Sequence, residues 1–263
     1  MKTKSLLLAL LTVISWAIQA QDLSQYKKEV FSERGQHLNY RILYPEHFSP
    51  NKKYPVVLFL HGSGERGNDN EAQLVHGSKL FLKDEVRKDF PAVVIFPQCP
   101  KEDYWSSADI DRSQYPLGII FPEKKATTPA MQLVLDLMDS IKAEKYSDDS
   151  RIYVGGLSMG GMGTFEILRL KPDMFAAAFP ICGGANPAVV SQYDPKLSIW
   201  VFHGAKDNVV LPSYSTDMVI ALMKAKMDVK YTLYKDANHN SWDSAFAEPQ
   251  LLPWLFSKSK SVK

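Results

Sequence analysis

The chain has 263 residues, 45% apolar and 23% charged, with 31 Lys and Arg against 29 Asp and Glu. That is the composition of an ordinary soluble globular protein, with length for a sizeable core and little room for a second full catalytic module. Charges of both signs are interspersed, so no basic face is marked out for phosphates and nucleic acid is a poor partner.

The first segment reads as an export signal. Lys2 and Lys4 precede an apolar run from Leu6 to Ile18, and Gln19-Ala20 then meet the polar Gln21-Asp22, the layout of a cleavable signal peptide. Cleavage is expected near Ala20, giving a periplasmic or secreted protein. The run is shorter than the ~20 residues of a membrane span, so membrane insertion is not expected. No cysteine sits at the junction, which disfavours a lipoprotein. Residues 21–263 are expected to form one catalytic domain, and losing the two lysines leaves 29 bases against 29 acids. Cys99 and Cys182 are too few for a disulfide scaffold, and no Cys/His spacing suggests zinc, so neither metal nor cofactor is expected.

From there, strand-length apolar runs alternate with helical segments, an α/β pattern. Lys27–Glu33 and His37–Tyr44 read as a hairpin turning at Arg34-Gly35. Pro55–Leu60, Ala92–Phe96, Arg151–Val154, Ala176–Phe179, Ser198–Phe202 and Lys230–Tyr234 are uniformly apolar enough for strands covered on both faces. A helix is expected from Thr128-Pro129 to about Tyr146, with Thr128 as cap. Ser213–Lys226 and Ser241–Ser257 also read as helices, the last interrupted by Pro249 and Pro253. The segment 97–127 is a long connection holding Tyr104, Trp105, Tyr115 and Phe121. Connections of this length are commonly functional, and a wall of a binding cleft is expected here, with Tyr115 and Phe121 equally suited to packing the loop down. The interval from Gly183 to Ser198 is too short for a lid domain.

The chemistry is concentrated at Gly156-Leu-Ser158-Met-Gly160, which follows a predicted strand and opens a predicted helix. A serine on such a strained strand-to-helix turn is a nucleophile elbow. Its hydroxyl needs a base and a group to orient that base, in the chain order Ser, acid, His. Asp207 and His239 each fall just past a strand, at the sheet edge where Ser158 lies. His61 and His203 close strands as His-Gly and are expected to orient their turns, while His37, His47 and His76 read as surface or packing residues. Asp194, Asp228 and Asp236 look like turn or cap residues. The tetrahedral intermediate of acyl transfer needs donors for its oxyanion. The backbone N–H of Met159 is one candidate, and the N–H of Ser63, with Gly64 as alternative, is the other. That glycine-rich loop is not followed by Gly-Lys-Ser/Thr, so a phosphate cradle is discounted.

The ordered motifs His61-Gly-Ser-Gly-Glu-Arg-Gly67, Pro97-Gln-Cys-Pro100 with Trp105, Gly156–Gly160, Pro180-Ile-Cys-Gly-Gly184, His203–Asp207 and His239-Asn-Ser-Trp242 together resemble the α/β-hydrolase esterases related to feruloyl and acetylxylan esterases. The likeness spans about residues 26–257. It implies an eight-stranded, mostly parallel sheet with helices on both faces, and Ser158, Asp207 and His239 as the triad. It further implies substrate contacts at Trp105, Gln98 and Trp242, and the strand order it carries keeps Cys99 and Cys182 too far apart to bond. The expected activity is hydrolysis of short-chain or aromatic esters, with an acylated oligosaccharide as partner. A serine peptidase of the prolyl-oligopeptidase type is the alternative, although such enzymes carry an extra domain that this length does not hold. A binding protein on an inactive scaffold is disfavoured by the intact triad positions. Glu65 and Arg66 are expected to pin the oxyanion loop through an ion pair.

Overall fold

The structure is a computed structural model that describes residues 22–123 and 126–260, so the expected signal peptide at 1–20 lies outside the described residues. It begins with a hairpin, β1 (Lys27–Glu33) and β2 (Gln36–Leu43). Arg34 and Gly35 between them have φ of 50° and 76°, the two positive values that let a two-residue turn follow the twist of its strands. β3 (Tyr54–Leu60), α1 (Asp84–Asp89) and β4 (Val93–Pro97) follow. A small hairpin of β5 (Asp109–Asp111) and β6 (Gly118–Ile120) then precedes α2 (Pro129–Ala143). Thr128 caps α2 by accepting from the Met131 N–H at 3.2 Å, and Pro129 at the first position has no N–H to satisfy. Next come β7 (Ser147–Leu157), α3 (Met159–Leu170), β8 (Ala177–Ile181) and β9 (Ser198–Gly204). The described chain closes with α4 (Pro212–Lys224), β10 (Asp228–Tyr234), α5 (Ser241–Phe246) and α6 (Leu251–Phe256).

Eight strands form one sheet in the order β1-β2-β4-β3-β7-β8-β9-β10. β2 runs antiparallel to both β1 and β4, and the pairs from β4 to β10 are parallel. Alternate residues of the central strands feed two cores. Val56, Leu58 and Leu60 of β3 pack with α2, α3 and α4 on one face. Val57 and Phe59 pack with α1, α5 and α6 on the other. This double coverage is why the strands read as uninterrupted apolar runs. No described helix is long and apolar enough to cross a membrane.

The sheet order also separates the cysteines. Cys99 follows β4 and Cys182 follows β8, with β3 and β7 between them, so three spacings of ~4.8 Å put them on the order of 14 Å apart. Both are buried and free. Two features exceed the sequence reading: β7 starts four residues earlier than the apolar run, at Ser147, and the long 97–127 connection contains the β5–β6 hairpin. The expected C-terminal helix is two short ones. Pro249 lies between them, and Pro253 is tolerated in the first turn of α6.

Candidate active site

The parallel strands end on one edge, and the residues that follow β3, β7, β9 and β10 converge there. β7 stops at Leu157 and α3 starts at Met159, leaving Ser158 as the whole turn with φ 53° and ψ −115°. A non-glycine residue is costly in this conformation, and such strain persists only where the surroundings impose it. Gly160 helps impose it, because a Cβ there would run into the Leu60 and His61 carbonyls, so the start of α3 lies directly against the end of β3.

The Ser158 hydroxyl donates to His239 Nε2 at 3.0 Å, and His239 Nδ1–H donates to Asp207 Oδ2 at 2.7 Å. Asp207 Oδ1 accepts from the N–H groups of Val209 and Val210 at 2.9 and 3.0 Å. A fourth donor is His203, whose Nε2 lies 3.1 Å from Asp207 Oδ2 and 2.9 Å from the Val210 carbonyl. Both neighbours are acceptors, so Nε2 carries a proton. His203 Nδ1 meets Ser215 Oγ at 2.7 Å, and Ser215 Oγ donates toward the Gly183 carbonyl at 2.7 Å. Burial works against the charge of Asp207, but the hydrogen bonds from His203, His239 and Val209 with the field of His239 outweigh it and hold the carboxyl well below the usual carboxylate range. Asp207 is therefore a fixed anion behind His239.

His203, expected only to orient its own turn, is a second brace on Asp207. It sits four residues before Asp207, which is the one sequence clue, whereas Ser215 on α4 carries none. The other late aspartates are engaged elsewhere: Asp194 caps its turn at Lys196, Asp228 binds Lys258 and Ser198, and Asp236 pairs with Lys206.

Two backbone N–H groups near the elbow are the expected oxyanion donors. Met159 opens α3, so its N–H has no partner within the helix. Ser63 opens a 3-10 turn, Ser63–Glu65, directly after the His61-Gly62 pair. A Cβ on Gly62 would lie 2.8 Å from Leu157 Cδ1, which places this loop beside the elbow. Arg66 fastens the loop by donating from Nε to the Ser63 carbonyl at 3.0 Å and from Nη1 to the Asp103 carbonyl at 3.2 Å. Its guanidinium also lies over the Tyr104 ring, 4.6 Å from the centroid. The expected Glu65–Arg66 ion pair is thus corrected: Arg66 spends its donors on carbonyls, and Glu65 Oε1 faces His76 Nε2 at 3.8 Å.

Two expected substrate contacts are also corrected. Trp105 has 0% exposure. Its Nε1–H donates to the His61 carbonyl at 3.2 Å, and its Cβ fills the space that a side chain at Gly163 would need. The chain leaving β4 turns under the loop at Gly62–Arg66, where the apolar space lies between β3 and α3, so the indole is a prop and not a wall. Gln98 is buried with its amide fully used. It accepts from the Asn70 N–H at 2.7 Å and donates to Asp69 Oδ1 at 2.8 Å and the Glu65 carbonyl at 3.3 Å. Trp242 does reach the site: its ring meets His239 edge-on with centroids 5.4 Å apart, and meets His76 at 5.1 Å. His76, read from the sequence as a surface or packing residue, therefore belongs to the rim.

The β5–β6 hairpin borders the acid loop. The Leu117 N–H donates to the Val209 carbonyl at 3.0 Å, and Tyr214 Oη donates to the Ile119 carbonyl at 3.3 Å. Leu117 and Ile119 pack with Met162 and Val210. Phe121 packs on Tyr214 at 5.6 Å, and Tyr115 is 73% exposed. Two surface grooves, of about 530 and 430 Å³, are bounded by residues such as Tyr54, Arg151, Leu43 and Tyr44 and do not include Ser158. Cys182, Asp207 and His239 bring ligand-type atoms within 4.8 Å of one another, but Asp207 and His239 are committed to each other, so the cluster reads as part of the hydrogen-bonded chain.

Sheet order, elbow and converging side chains define an α/β-hydrolase. The profile of the Esterase family matches residues 32–243, and the chain belongs to that family. A solved thermostable esterase is 32% identical with a TM-score of 0.78, over 90% of this chain and 64% of its own, so the chain spans just under two thirds of that protein. Lysophospholipase-like protein 1 of Mus musculus is 26% identical over 200 residues, 73% of this chain and 82% of the relative. The bifunctional acetylxylan esterase/xylanase XynS20E of Neocallimastix patriciarum is 27% identical over 188 residues, 72% of this chain and 23% of that protein.

Proposed function

We propose that the chain is a serine carboxylic ester hydrolase acting through an acyl-enzyme. The observation that carries this reading is the unbroken Ser158–His239–Asp207 hydrogen-bond chain, with links of 3.0 and 2.7 Å, on a strained elbow. Ser158 Oγ attacks the ester carbonyl while His239 Nε2 takes its proton. Asp207 keeps the imidazole in the Nδ1–H tautomer and stabilises the imidazolium. The N–H groups of Met159 and Ser63 receive the oxyanion, a contribution of about 2.7–4 kcal/mol for each donor. His239 then protonates the leaving alkoxide, and water, deprotonated by the same histidine, releases the acid from Ser158.

The substrate class we infer is short-chain or aromatic acyl esters, including those on plant polysaccharide fragments. Support comes from the similarity to an acetylxylan esterase/xylanase, from a Gly183–Ser198 interval that holds one short 3-10 segment and no lid, and from Trp242 beside His239 as a flat apolar surface. Export by the segment 1–20 belongs to the same reading, and N-terminal sequencing of the mature protein should begin at Gln21. A panel of acetyl, butyryl and feruloyl esters, with and without attached xylo-oligosaccharide, tests the substrate class. Turnover of the short or feruloyl esters is expected. Preference for long-chain lipid emulsions or for peptide anilides would reject it in favour of a lipase or a peptidase.

A further inference from the structure

We propose that His61 is a positioning residue for the oxyanion hole, aiming the Ser63 N–H by holding the carbonyl end of the same peptide. The proposal rests on the acyl-transfer reading above. Ser63 N–H and Gly62 C=O belong to one trans peptide and point in opposite directions. His61 Nδ1 lies 2.6 Å from the Gly62 oxygen, so the ring fixes the plane from its buried side and leaves the N–H facing the other way. The Gly62 oxygen also takes the Glu65 N–H at the longer distance of 3.4 Å. A donor on a carbonyl polarises its peptide and strengthens the N–H as a donor.

The tautomer follows from the partners. His61 Nε2 faces the Cys99 N–H at 2.9 Å, which makes it an acceptor, and Nδ1 faces a carbonyl, which makes it the donor. Burial, with the nearby Arg66 charge, pushes the ring pKa down to about 4 against the Gly62 hydrogen bond, so the ring holds this neutral form at ordinary pH. Trp105 Nε1–H on the His61 carbonyl fixes the backbone of the same residue. The charged groups that face the ring are few: Arg66 is the one that acts on it, and the Cys99 thiol beside it is driven up by burial and stays neutral. The next peptide is held in the same manner, since Arg66 Nε donates to the Ser63 carbonyl whose peptide carries the Gly64 N–H. The two braces therefore separate the two candidate donors.

The experiment compares His61→Gln, whose amide oxygen can still accept from Cys99, with His61→Asn, whose amide nitrogen can stand where Nδ1 stood. Turnover of an aryl acetate is normalised to sites titrated with a serine-directed phosphonate, alongside the inhibition constant of an aryl trifluoromethyl ketone. His61→Gln should lower kcat by about 10- to 100-fold and weaken the ketone in parallel, with KM changed less than about threefold. His61→Asn should recover at least a tenth of wild-type kcat, and Arg66→Met should cost less than His61→Gln. Nitrogen NMR of the wild-type protein should show His61 protonated on Nδ1 and bare on Nε2, which keeps the test independent of whether a variant folds. Near-normal kcat in His61→Gln, equal loss in the two His61 variants, a larger loss in Arg66→Met, or the Nε2–H tautomer would each overturn the proposal. Ser158→Ala is the control for the underlying reading: if it still turns over ester, the acyl-transfer mechanism itself fails, whatever His61 does.

Discussion

Replacing Trp105 by alanine removes a large side chain with no exposed surface from the junction of β3, α3 and the loop that follows His61. Truncating a buried Trp to Ala costs about 3–5 kcal/mol through lost transfer energy and the cavity left behind. The indole N–H that serves the His61 carbonyl at 3.2 Å also disappears, and a buried carbonyl left bare adds about 1–3 kcal/mol. The sum is a large share of the ~5–15 kcal/mol that holds an ordinary domain together. Trp105→Phe, which keeps most of the volume and loses the hydrogen bond, should cost about 1–3 kcal/mol. Urea denaturation measures both, and aryl acetate kinetics on the folded variants should show kcat falling with KM little altered, because the loop being propped carries the proposed oxyanion donor Ser63. A stability loss below about 1 kcal/mol in Trp105→Ala, with KM raised and kcat intact, would refute the assignment and return Trp105 to the cleft wall.

Asp207→Asn should cut turnover by on the order of 10³–10⁴-fold, because an amide favours the wrong tautomer of His239 and cannot stabilise the imidazolium; steady-state kinetics showing less than a tenfold loss would contradict the geometry. Gly160→Ala would drive a Cβ into the Leu60 carbonyl, so thermal denaturation should show a marked drop in Tm together with loss of activity, and a wild-type profile would mean that α3 does not meet β3 so closely. His61 predicts an acid weakening of the fold. Its folded pKa of about 4 lies below the unfolded 6.5, so above pH 6.5 it adds no pH dependence. Between pH 6.5 and 4 the unfolded chain gains a proton that the folded chain refuses, lowering stability by about 3 kcal/mol. Denaturation across that window should be less pH-dependent in His61→Gln than in the wild type, and identical slopes would contradict the burial argument.

The Ser158–His239–Asp207 hydrogen-bond chain was readable because each member follows a strand. Strands read as apolar runs, and parallel strands deliver their following loops to one edge, so Ser158, Asp207 and His239 could be placed together without knowing a distance. The Arg34-Gly35 turn and the Thr128-Pro129 cap were readable for a similar reason, since local backbone chemistry dictates them. Trp105 and Gln98 were misread because a motif near a site does not say which way its side chains point. The Gln98 amide is consumed by Asn70, Asp69 and the Glu65 carbonyl, partners up to 33 residues away that no local pattern announces. His203 and His76 were undervalued on the same ground: the His203 ring is held by Ser215 of α4, itself bonded to the Gly183 carbonyl, and His76 meets Trp242, which follows β10. The β5–β6 hairpin has three-residue strands, too short for alternation to stand out.

The mechanism requires Ser158 to form an acyl-enzyme. Rapid acid quench of the enzyme mixed with an excess of aryl acetate, followed by peptide mass spectrometry, tests it most directly. An acetyl group on the peptide containing Ser158 is expected in the wild type, with neither adduct nor turnover in Ser158→Ala. Turnover with the acetyl group on another residue, or a Ser158→Ala variant that still hydrolyses the ester, would contradict it.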